Sequence, residues 1–162
     1  MRTMLKGHRL PVNSIDFSPN GCSLVSGSYD RSVCIWNIRD GSSKILLVTG
    51  SSECFVSVVF SPDGRYIAAG NLDKSLWIWD SRTYRLVAKW WGHTSDVWST
   101  VFTPDGKGLM SGGYDDTVKY WDVSSLGNRS TASVVNEDGG FPLVRSFLGH
   151  RVLFFFCFIS QC

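Results

Sequence analysis

The sequence lacks the features that mark nucleic-acid-binding, membrane and secreted proteins. Its 16 Lys and Arg residues are scattered without a run, and the formal net charge is only +2, so no basic surface for DNA or RNA is indicated. The apolar stretch 152–159 is far shorter than the roughly 20 residues of a membrane helix. Residues 1–6 contain no apolar core of a signal peptide. We expect no direct nucleic-acid contact, no membrane span and no secretion.

Sites for a metal, a cofactor or a small substrate are also missing from the sequence. No Cys-x-x-Cys pair occurs, and the five cysteines are an odd number, which favours a reduced compartment over a disulfide framework. The three histidines, His8, His93 and His150, each follow a glycine at the start of a repeat, which leaves none for a metal cluster. The glycines belong to turns, not to a phosphate-binding loop. We expect no metal, no cofactor and no small-molecule substrate.

One pattern, by contrast, occurs three times along the chain. Its anchors are Gly7, Gly50 and Gly92, which lie 43 and 42 residues apart. Each anchor is followed by a proline twelve residues on, an aspartate twenty-three on and a tryptophan twenty-nine on: Pro19, Pro62 and Pro104; Asp30, Asp73 and Asp115; Trp36, Trp79 and Trp121. A period of about 40–45 residues is typical of WD40 repeats, which these three copies resemble.

Each copy is predicted to form four short strands joined by turns. In the third copy these are Val97–Phe102, Gly108–Gly113, Thr117–Asp122 and a strand just before the next Gly-His. Between the first two, Pro104 fixes φ in a turn that Gly106 closes with a positive φ. Four such strands make one propeller blade. We therefore predict an all-β WD40 β-propeller fragment of three four-stranded antiparallel blades, with repeats over 7–49, 50–91 and 92–148.

The pattern changes near the end of the chain. The fourth Gly-His, Gly149-His150, lies 57 residues after Gly92, and we assign the excess to a loop insertion over 124–143, whose composition is that of a flexible surface loop. The partial propeller thus occupies 1–150, and the apolar tail 151–162 is a candidate first strand of a fourth blade. Propellers close with about four to eight blades, so we expect an unclosed ring from a truncated or misread product.

Polar residues recur at positions that form a buried hydrogen-bonded network in WD40 proteins. The resemblance implies two such sets: His8, Ser26, Asp30 and Trp36 in the first copy, and His93, Ser111, Asp115 and Trp121 in the third. In each set the aspartate orients the imidazole, the imidazole bonds the hydroxyl, and the hydroxyl accepts from the indole. The alternative, a Ser-His-Asp nucleophile system, is disfavoured because the set occurs twice. We expect no enzymatic activity.

The second copy departs from this network. Ser51 stands in place of the histidine and Ala69 in place of the strand hydroxyl, whereas Asp73 and Trp79 remain. Because both partners of one hydrogen bond are lost together, neither is left buried without a partner. We therefore predict that the second blade is held more by packing than by hydrogen bonds.

The loops at one end of the blades are the predicted binding face. Because consecutive strands reverse direction, the Gly-His loops and the loops carrying the repeat aspartates emerge together, and ligands usually contact loops. The partner-binding candidates are Tyr29, Leu72 and Tyr114, each just before the aspartate, and Arg9, Pro11, Thr94 and Asp96 on the entry to the first strand. Tyrosine, arginine and large apolar side chains suit interface hot spots. The alternative is that each is a solvated loop residue.

Three stretches point to a narrower kinship. Residues 61–80, 96–106 and 111–122 are similar to the propeller of Groucho/Tup-type transcriptional co-repressors. The order of a repeat without its histidine, a regular repeat and a long insertion also resembles the Tup branch. The resemblance implies a protein-interaction module that docks DNA-bound repressors in the nucleus. The alternative is a WD40 scaffold in signalling, or a substrate receptor of a ubiquitin ligase, in the cytoplasm.

Overall fold

Short β-strands make up most of the part of the chain that the structure describes. A computed structural model of the chain describes residues 4–46, 53–127, 134–135 and 143–148. Its strands form three sheets, two of four strands and one of five. All pairings are antiparallel except that of Val134–Val135 with Leu86–Trp91. The described ranges include no helix with the length and apolar character needed to cross a lipid bilayer.

Each sheet corresponds to one copy of the repeat and is called here a blade. Blade 1 consists of β1 (Val12–Phe17), β2 (Ser23–Ser28), β3 (Val33–Asn37) and β4 (Ser43–Leu46). Blade 2 consists of β5 (Phe55–Phe60), β6 (Tyr66–Asn71), β7 (Ser75–Asp80) and β8 (Leu86–Trp91). Blade 3 consists of β9 (Val97–Phe102), β10 (Gly108–Gly113), β11 (Thr117–Asp122) and β13 (Leu143–Leu148). A short 3-10 helix, Ser124–Gly127, follows β11, and β12 is Val134–Val135. The strand orders in the three sheets are β1-β2-β3-β4, β12-β8-β7-β6-β5 and β13-β11-β10-β9.

The Pro-x-Gly segments form the same tight turn in all three blades. Gly21, Gly64 and Gly106 have φ values of 67°, 70° and 68°, a region that glycine enters without steric cost. In blade 3 the amide of Gly106 donates to the carbonyl of Thr103 at 2.9 Å, which closes the turn. This turn sets the register between the first two strands of each blade.

The hydrophobic core lies between the blades and not within any one of them. Strand alternation sends Ile67 and Ala69 of β6 toward blade 1 and Tyr66 and Ala68 toward blade 3. One cluster joins residues of blades 1 and 2, and a second joins residues of blades 2 and 3. Blade 2 is therefore covered on both faces, as the interior unit of a stacked array is.

The blades approach most closely where a glycine occupies the second strand. A Cβ added at Gly70 of blade 2 would lie 3.0 Å from both a methyl group and the carbonyl oxygen of Val97 in blade 3. At the corresponding position of blade 1, a Cβ on Gly27 would lie 2.8 Å from a methyl group of Val58. The missing side chain thus lets the first strand of one blade, called here its inner strand, pack against the second strand of the preceding blade.

The predicted fold class is confirmed: the described residues form an all-β, unclosed part of a propeller. The insertion differs in detail from the predicted flexible loop, because Ser124–Gly127 is a 3-10 helix and Val134–Val135 pairs with β8. The strand β8 is the fourth strand of blade 2, and the fourth strand of each blade is called here its outer strand. The strand β13 begins at Leu143, the last residue of the predicted insertion. Gly50, Ser51, Gly149, His150 and the tail 151–162, including the predicted start of a fourth blade, lie outside the described residues.

Adding one methyl group at the blade contact should destabilise the stack. We expect Gly70→Ala to lower the free energy of unfolding by about 1–3 kcal/mol, the usual cost of overpacking a tight contact, because a valine side chain and its carbonyl leave no room. Urea denaturation monitored by tryptophan fluorescence measures this. Lys107→Ala, at an exposed turn position, is the control and should shift stability by less than about 0.5 kcal/mol. Equal midpoints for Gly70→Ala and the unchanged chain would contradict the close approach.

Candidate protein-interaction face

A chain of hydrogen bonds crosses blade 1 from the loop end into the core. The imidazole of His8 lies 2.9 Å from Asp30 Oδ2 through Nδ1 and 2.7 Å from Ser26 Oγ through Nε2. The indole of Trp36 donates to the same Ser26 oxygen at 2.7 Å. Because the carboxylate only accepts, Nδ1 donates to it, and the hydroxyl of Ser26 joins the imidazole to the indole. The structure thus brings all four predicted network residues of this blade together.

Blade 3 repeats this arrangement. His93 Nδ1 lies 2.8 Å from Asp115 Oδ2, His93 Nε2 lies 2.7 Å from Ser111 Oγ, and the indole of Trp121 donates to Ser111 Oγ at 2.8 Å. His93, Ser111 and Trp121 are buried. Since each hydroxyl is enclosed and bonded on two sides, neither serine is presented to a substrate as a hydrolase nucleophile is.

The two aspartates also fix the loops at this end of the blades. Asp30 Oδ2 accepts the backbone amide of Arg9 at 2.9 Å, and Asp115 Oδ2 accepts that of Thr94 at 2.9 Å. The other carboxylate oxygen of Asp115 accepts the amide of Thr117 at 3.1 Å and its hydroxyl at 2.6 Å. One carboxylate therefore ties the entry to the first strand to the loop between the second and third strands.

These contacts set the protonation of the network. Burial acts to raise the pKa of Asp30, but hydrogen bonds from Ser32, the Arg9 amide and His8 outweigh it and lower the pKa to about 2. The pKa of Asp115 is likewise lowered against the opposing effect of burial. Burial lowers the pKa of His93 although Asp115 favours its charged form. The networks therefore combine anionic aspartate with neutral His93 at neutral pH.

In blade 2 a lysine contacts the aspartate in place of an imidazole. Lys89 Nζ lies 2.9 Å from Asp73 Oδ2 and sits 4.1 Å from the ring centroid of Trp77 and 4.6 Å from that of Trp91. The hydroxyl of Ser75 also donates to Asp73. The prediction that this blade is held more by packing than by hydrogen bonds did not include this ion pair and these two cation–π contacts, which also hold the blade.

The indoles of blade 2 are stacked on one another. Trp77 and Trp79 lie with centroids 6.0 Å apart and planes 13° from parallel. Among the described residues, the indole nitrogen of Trp77 is the buried side-chain polar atom without a hydrogen-bond partner. Trp79, the predicted network tryptophan, therefore packs against a second indole that was not predicted to belong to the site.

The face formed by the Gly-His and aspartate loops, called here the loop face, carries an exposed aromatic pair. Tyr114 is 66% exposed, and its ring meets that of Trp98 edge to face with centroids 5.1 Å apart. The Tyr114 amide donates to the carbonyl of Asp96 at 2.9 Å, which fixes the loop to the first strand. Trp98 was not among the predicted contact residues. The signal in the sequence was its place in the first strand of the blade, where the other blades have Asn13 and Val56.

The remaining candidates are spread over the three blades. Tyr29, Arg9, Pro11 and Thr94 are exposed, whereas Leu72 and Asp96 are half-buried. Tyr29 and Arg9 line a groove of about 500 Å³ between blades 1 and 2, together with Leu10, Asp30, Arg31, Glu53 and Cys54. The structure thus joins Arg9 with Tyr29, and Tyr114 with Asp96, but does not gather all seven candidates into one patch.

No group of three His, Cys, Asp or Glu side chains that could hold a metal ion occurs in the described ranges. Cys22, Cys34 and Cys54 are free thiols.

The repeat matches a known family over most of the chain. The family model described as "WD domain, G-beta repeat" matches residues 1–37, 42–80 and 84–122. The chain belongs to the WD40 repeat family. WD40 domains generally serve as non-enzymatic scaffolds that bind other proteins, and this chain has the repeats of that class.

Similar WD40 proteins match this chain over about one repeat. POC1 centriolar protein homolog A of Danio rerio is 51% identical over 37 residues, which are 23% of this chain and 9% of the relative. Periodic tryptophan protein 2 homolog of Neurospora crassa is 59% identical over 34 residues, 21% of this chain and 4% of the relative. Ribosome assembly protein 4 of Chaetomium thermophilum is 46% identical over 37 residues, 23% of this chain and 7% of the relative.

Solved structures show the same fold over a longer span. The structure of U3-55K and that of the RRP9 WD40 repeats each match with a TM-score of 0.76 at 24% identity over 91% of this chain. The matched region is 42% and 41% of those chains. The WD40 chain described here therefore spans less than half the length of these structures, and the likeness concerns the fold alone.

Removing the imidazole of blade 3 should destabilise the fold. His93→Ala removes one hydrogen-bond partner each from Asp115 and Ser111 in the buried network, and an unsatisfied buried group costs about 1–3 kcal/mol. We expect a loss of about 2–4 kcal/mol in the free energy of unfolding, measured by urea denaturation. Thr94→Ala in the adjacent exposed position should change it by less than about 0.5 kcal/mol. An unchanged stability of His93→Ala would show that the network does not hold this blade.

Acid should weaken blade 1 through Asp30. Its pKa in the folded chain, about 2, lies below the ordinary 3.8, so the unfolded chain binds the proton more readily. The stabilisation is complete above the ordinary value and is lost as the pH falls from there toward 2. We expect the melting temperature to fall across this window, and Asp30→Asn to show a smaller fall from a lower starting value. Parallel pH profiles for the two proteins would rule out this contribution.

Proposed function

We propose that the loop face binds a protein partner and that Tyr114 and Trp98 are its main contact residues. The observation that carries this proposal is the exposed, edge-to-face pair of two large aromatic rings on a face made of loops. Exposed Tyr and Trp are the side chains most often found at binding hot spots. Both offer a large contact area with few rotatable bonds, so little conformational entropy is lost on binding.

The backbone beneath this pair supports the proposal because it is fixed before a partner arrives. The carboxylate of Asp115 bonds Thr117 on one side of its loop and the amide of Thr94 across the gap. Tyr114 itself is tied to Asp96 through its amide. A preformed surface avoids the cost of ordering loops during association, which suits a scaffold.

We further propose that the partner is a DNA-bound transcriptional repressor and that the chain acts in the nucleus. This proposal rests on the similarity of residues 61–80, 96–106 and 111–122 to co-repressor propellers. The relatives named above include a centriolar protein and a ribosome assembly protein and no co-repressor. Their matches span a single repeat, so they support a scaffold in a larger assembly without specifying its members.

The partner class is decided by direct binding to purified proteins. Biolayer interferometry with the immobilised chain compares sequence-specific repressors, ubiquitin-ligase adaptor subunits, ribosome-assembly factors and centriolar proteins at equal concentrations. Saturable binding of repressors alone supports the co-repressor proposal. Binding of an adaptor or an assembly factor in their place assigns the chain to that class and contradicts it.

Truncating Tyr114 should weaken binding without loss of the fold. For a peptide selected by phage display against the unchanged chain, we expect Tyr114→Ala to raise Kd at least about tenfold, as the loss of a hot-spot side chain does. The melting temperature should stay the same, since the ring is exposed. Lys107→Ala, at the opposite end of the blade, is the matched control and should leave Kd unchanged. A lowered melting temperature would make Tyr114 structural, and an unchanged Kd would place binding elsewhere.

A further inference from the structure

Blade 1 exposes apolar side chains at positions that the other blades bury. Phe17 is 58% exposed, whereas its counterpart Phe60 in blade 2 is 9% exposed, because blade 1 covers it. Ile15 is 60% exposed, whereas its counterpart Val58 is 1% exposed. At the corresponding positions of the repeat, this surface is therefore the one that contacts another blade. We call it the front face, formed by Val12, Ile15 and Phe17.

Blade 3 exposes the complementary surface. Phe147 is 47% exposed, whereas Trp90, at the matching place in the outer strand of blade 2, is buried against blade 3. Val101 is 44% exposed, and its counterpart Val59 packs into the cluster between blades 2 and 3. We call this surface the back face, formed by Val101, Met110, Val118, Tyr120 and Phe147.

A repeated serine shows how a back face and a front face fit together. Ser14 of blade 1 accepts the backbone amide of Val58 in blade 2 at 3.1 Å. Ser57, the same position of blade 2, accepts the amide of Thr100 in blade 3 at 3.0 Å. The third member of the series is Ser99, which is exposed on the inner strand of blade 3. By the spacing of the series, Ser99 would accept the backbone amide of residue 15 in the first strand of a further blade.

A repeated glycine independently supports the same pairing of a back face with a front face. Gly27 and Gly70 each seat the inner strand of the following blade. Gly112 occupies the third such position and pairs with Ser99 across the sheet. By the same offsets, the residues that Gly112 would receive are the counterparts of Val58 and Phe55, which are Ile15 and Val12. Those two residues belong to the front face.

We propose that the back face of one copy of this chain packs against the front face of a second copy. The contact continues the one already formed between blades 1 and 2 and between blades 2 and 3. The contact joins two different surfaces, so two copies form it twice. Such contacts give a closed ring when the rotations from copy to copy add up to a full turn. The three blades described in each of two copies make six, which lies within the about four to eight that propellers use.

A second copy is the occupant that the surfaces favour. The hydroxyl series, the glycine series and the apolar positions all specify a blade of this same repeat, and the front face of another copy has each of the matching groups in register. Ring closure buries both apolar faces of both copies, which are exposed among the described residues of one copy. A solvent-exposed apolar surface of this kind is a typical association site.

Sedimentation velocity of the full chain tests the dimer. We expect a species of twice 18.1 kDa that dissociates on dilution. Phe17→Glu alters the front face and Val101→Lys the back face, and each alone should raise the dimer Kd at least about thirtyfold, as the loss of an interface anchor does. Mixed together, the two variants should dimerise again, because each retains the face that the other needs and the new Glu and Lys meet at the second contact.

The outcomes separate this proposal from the proposed function. Tyr114→Ala should remain dimeric, so loss of partner binding there leaves this proposal intact. A monomeric wild-type chain with a cooperative melt overturns the dimer, as does dimerisation of Val101→Lys alone, which would mean a front-to-front contact. Open oligomers larger than two copies overturn ring closure. If Phe17→Glu fails to fold by circular dichroism, Ile15→Glu replaces it, and the dilution series of the wild type still decides.

Discussion

The structure depends on the burial of both apolar faces of each blade by its neighbours. A four-stranded sheet with apolar side chains on alternate positions cannot cover itself, so its stability comes from the contacts between blades. Blade 2 satisfies this constraint, with Ile67 and Ala69 covered from one side and Ala68 from the other. Blades 1 and 3 satisfy it on one face each. The glycines at the contact and the serines that reach across it serve the same packing.

The polar network has a second role, which is to hold the loops at one end of the sheets in place. In blades 1 and 3 an aspartate, an imidazole, a hydroxyl and an indole join the loop to the core through groups that are each satisfied. Blade 2 reaches a related result with Lys89 between two indoles and Asp73. The loop face is thus set by the interior, which leaves the exposed side chains free to serve recognition.

The repeat spacing made much of this predictable. Strands of blade 3 fall where the turn residues place them, because Pro104 and Gly106 fix the reversal locally and alternation then orients each side chain. The Lys89–Asp73 pair was not predicted, because it joins the turn between β6 and β7 to β8, and the repeat pattern does not reveal the register of β8. Trp98 and the strand Val134–Val135 escaped for a similar reason: each differs from the other copies, and a periodic argument finds only what recurs. The choice of partner depends on such non-repeating side chains.

Native-state hydrogen exchange under monomeric conditions tests the central claim most directly, because amide protection reports the stability of each blade separately. We expect the slowest exchange in β6 and β7 of blade 2, whose two faces are covered, and faster exchange in the strands of blades 1 and 3, each of which has one uncovered face. Equal protection in all three blades, or the fastest exchange in blade 2, would contradict the view that neighbouring blades stabilise one another.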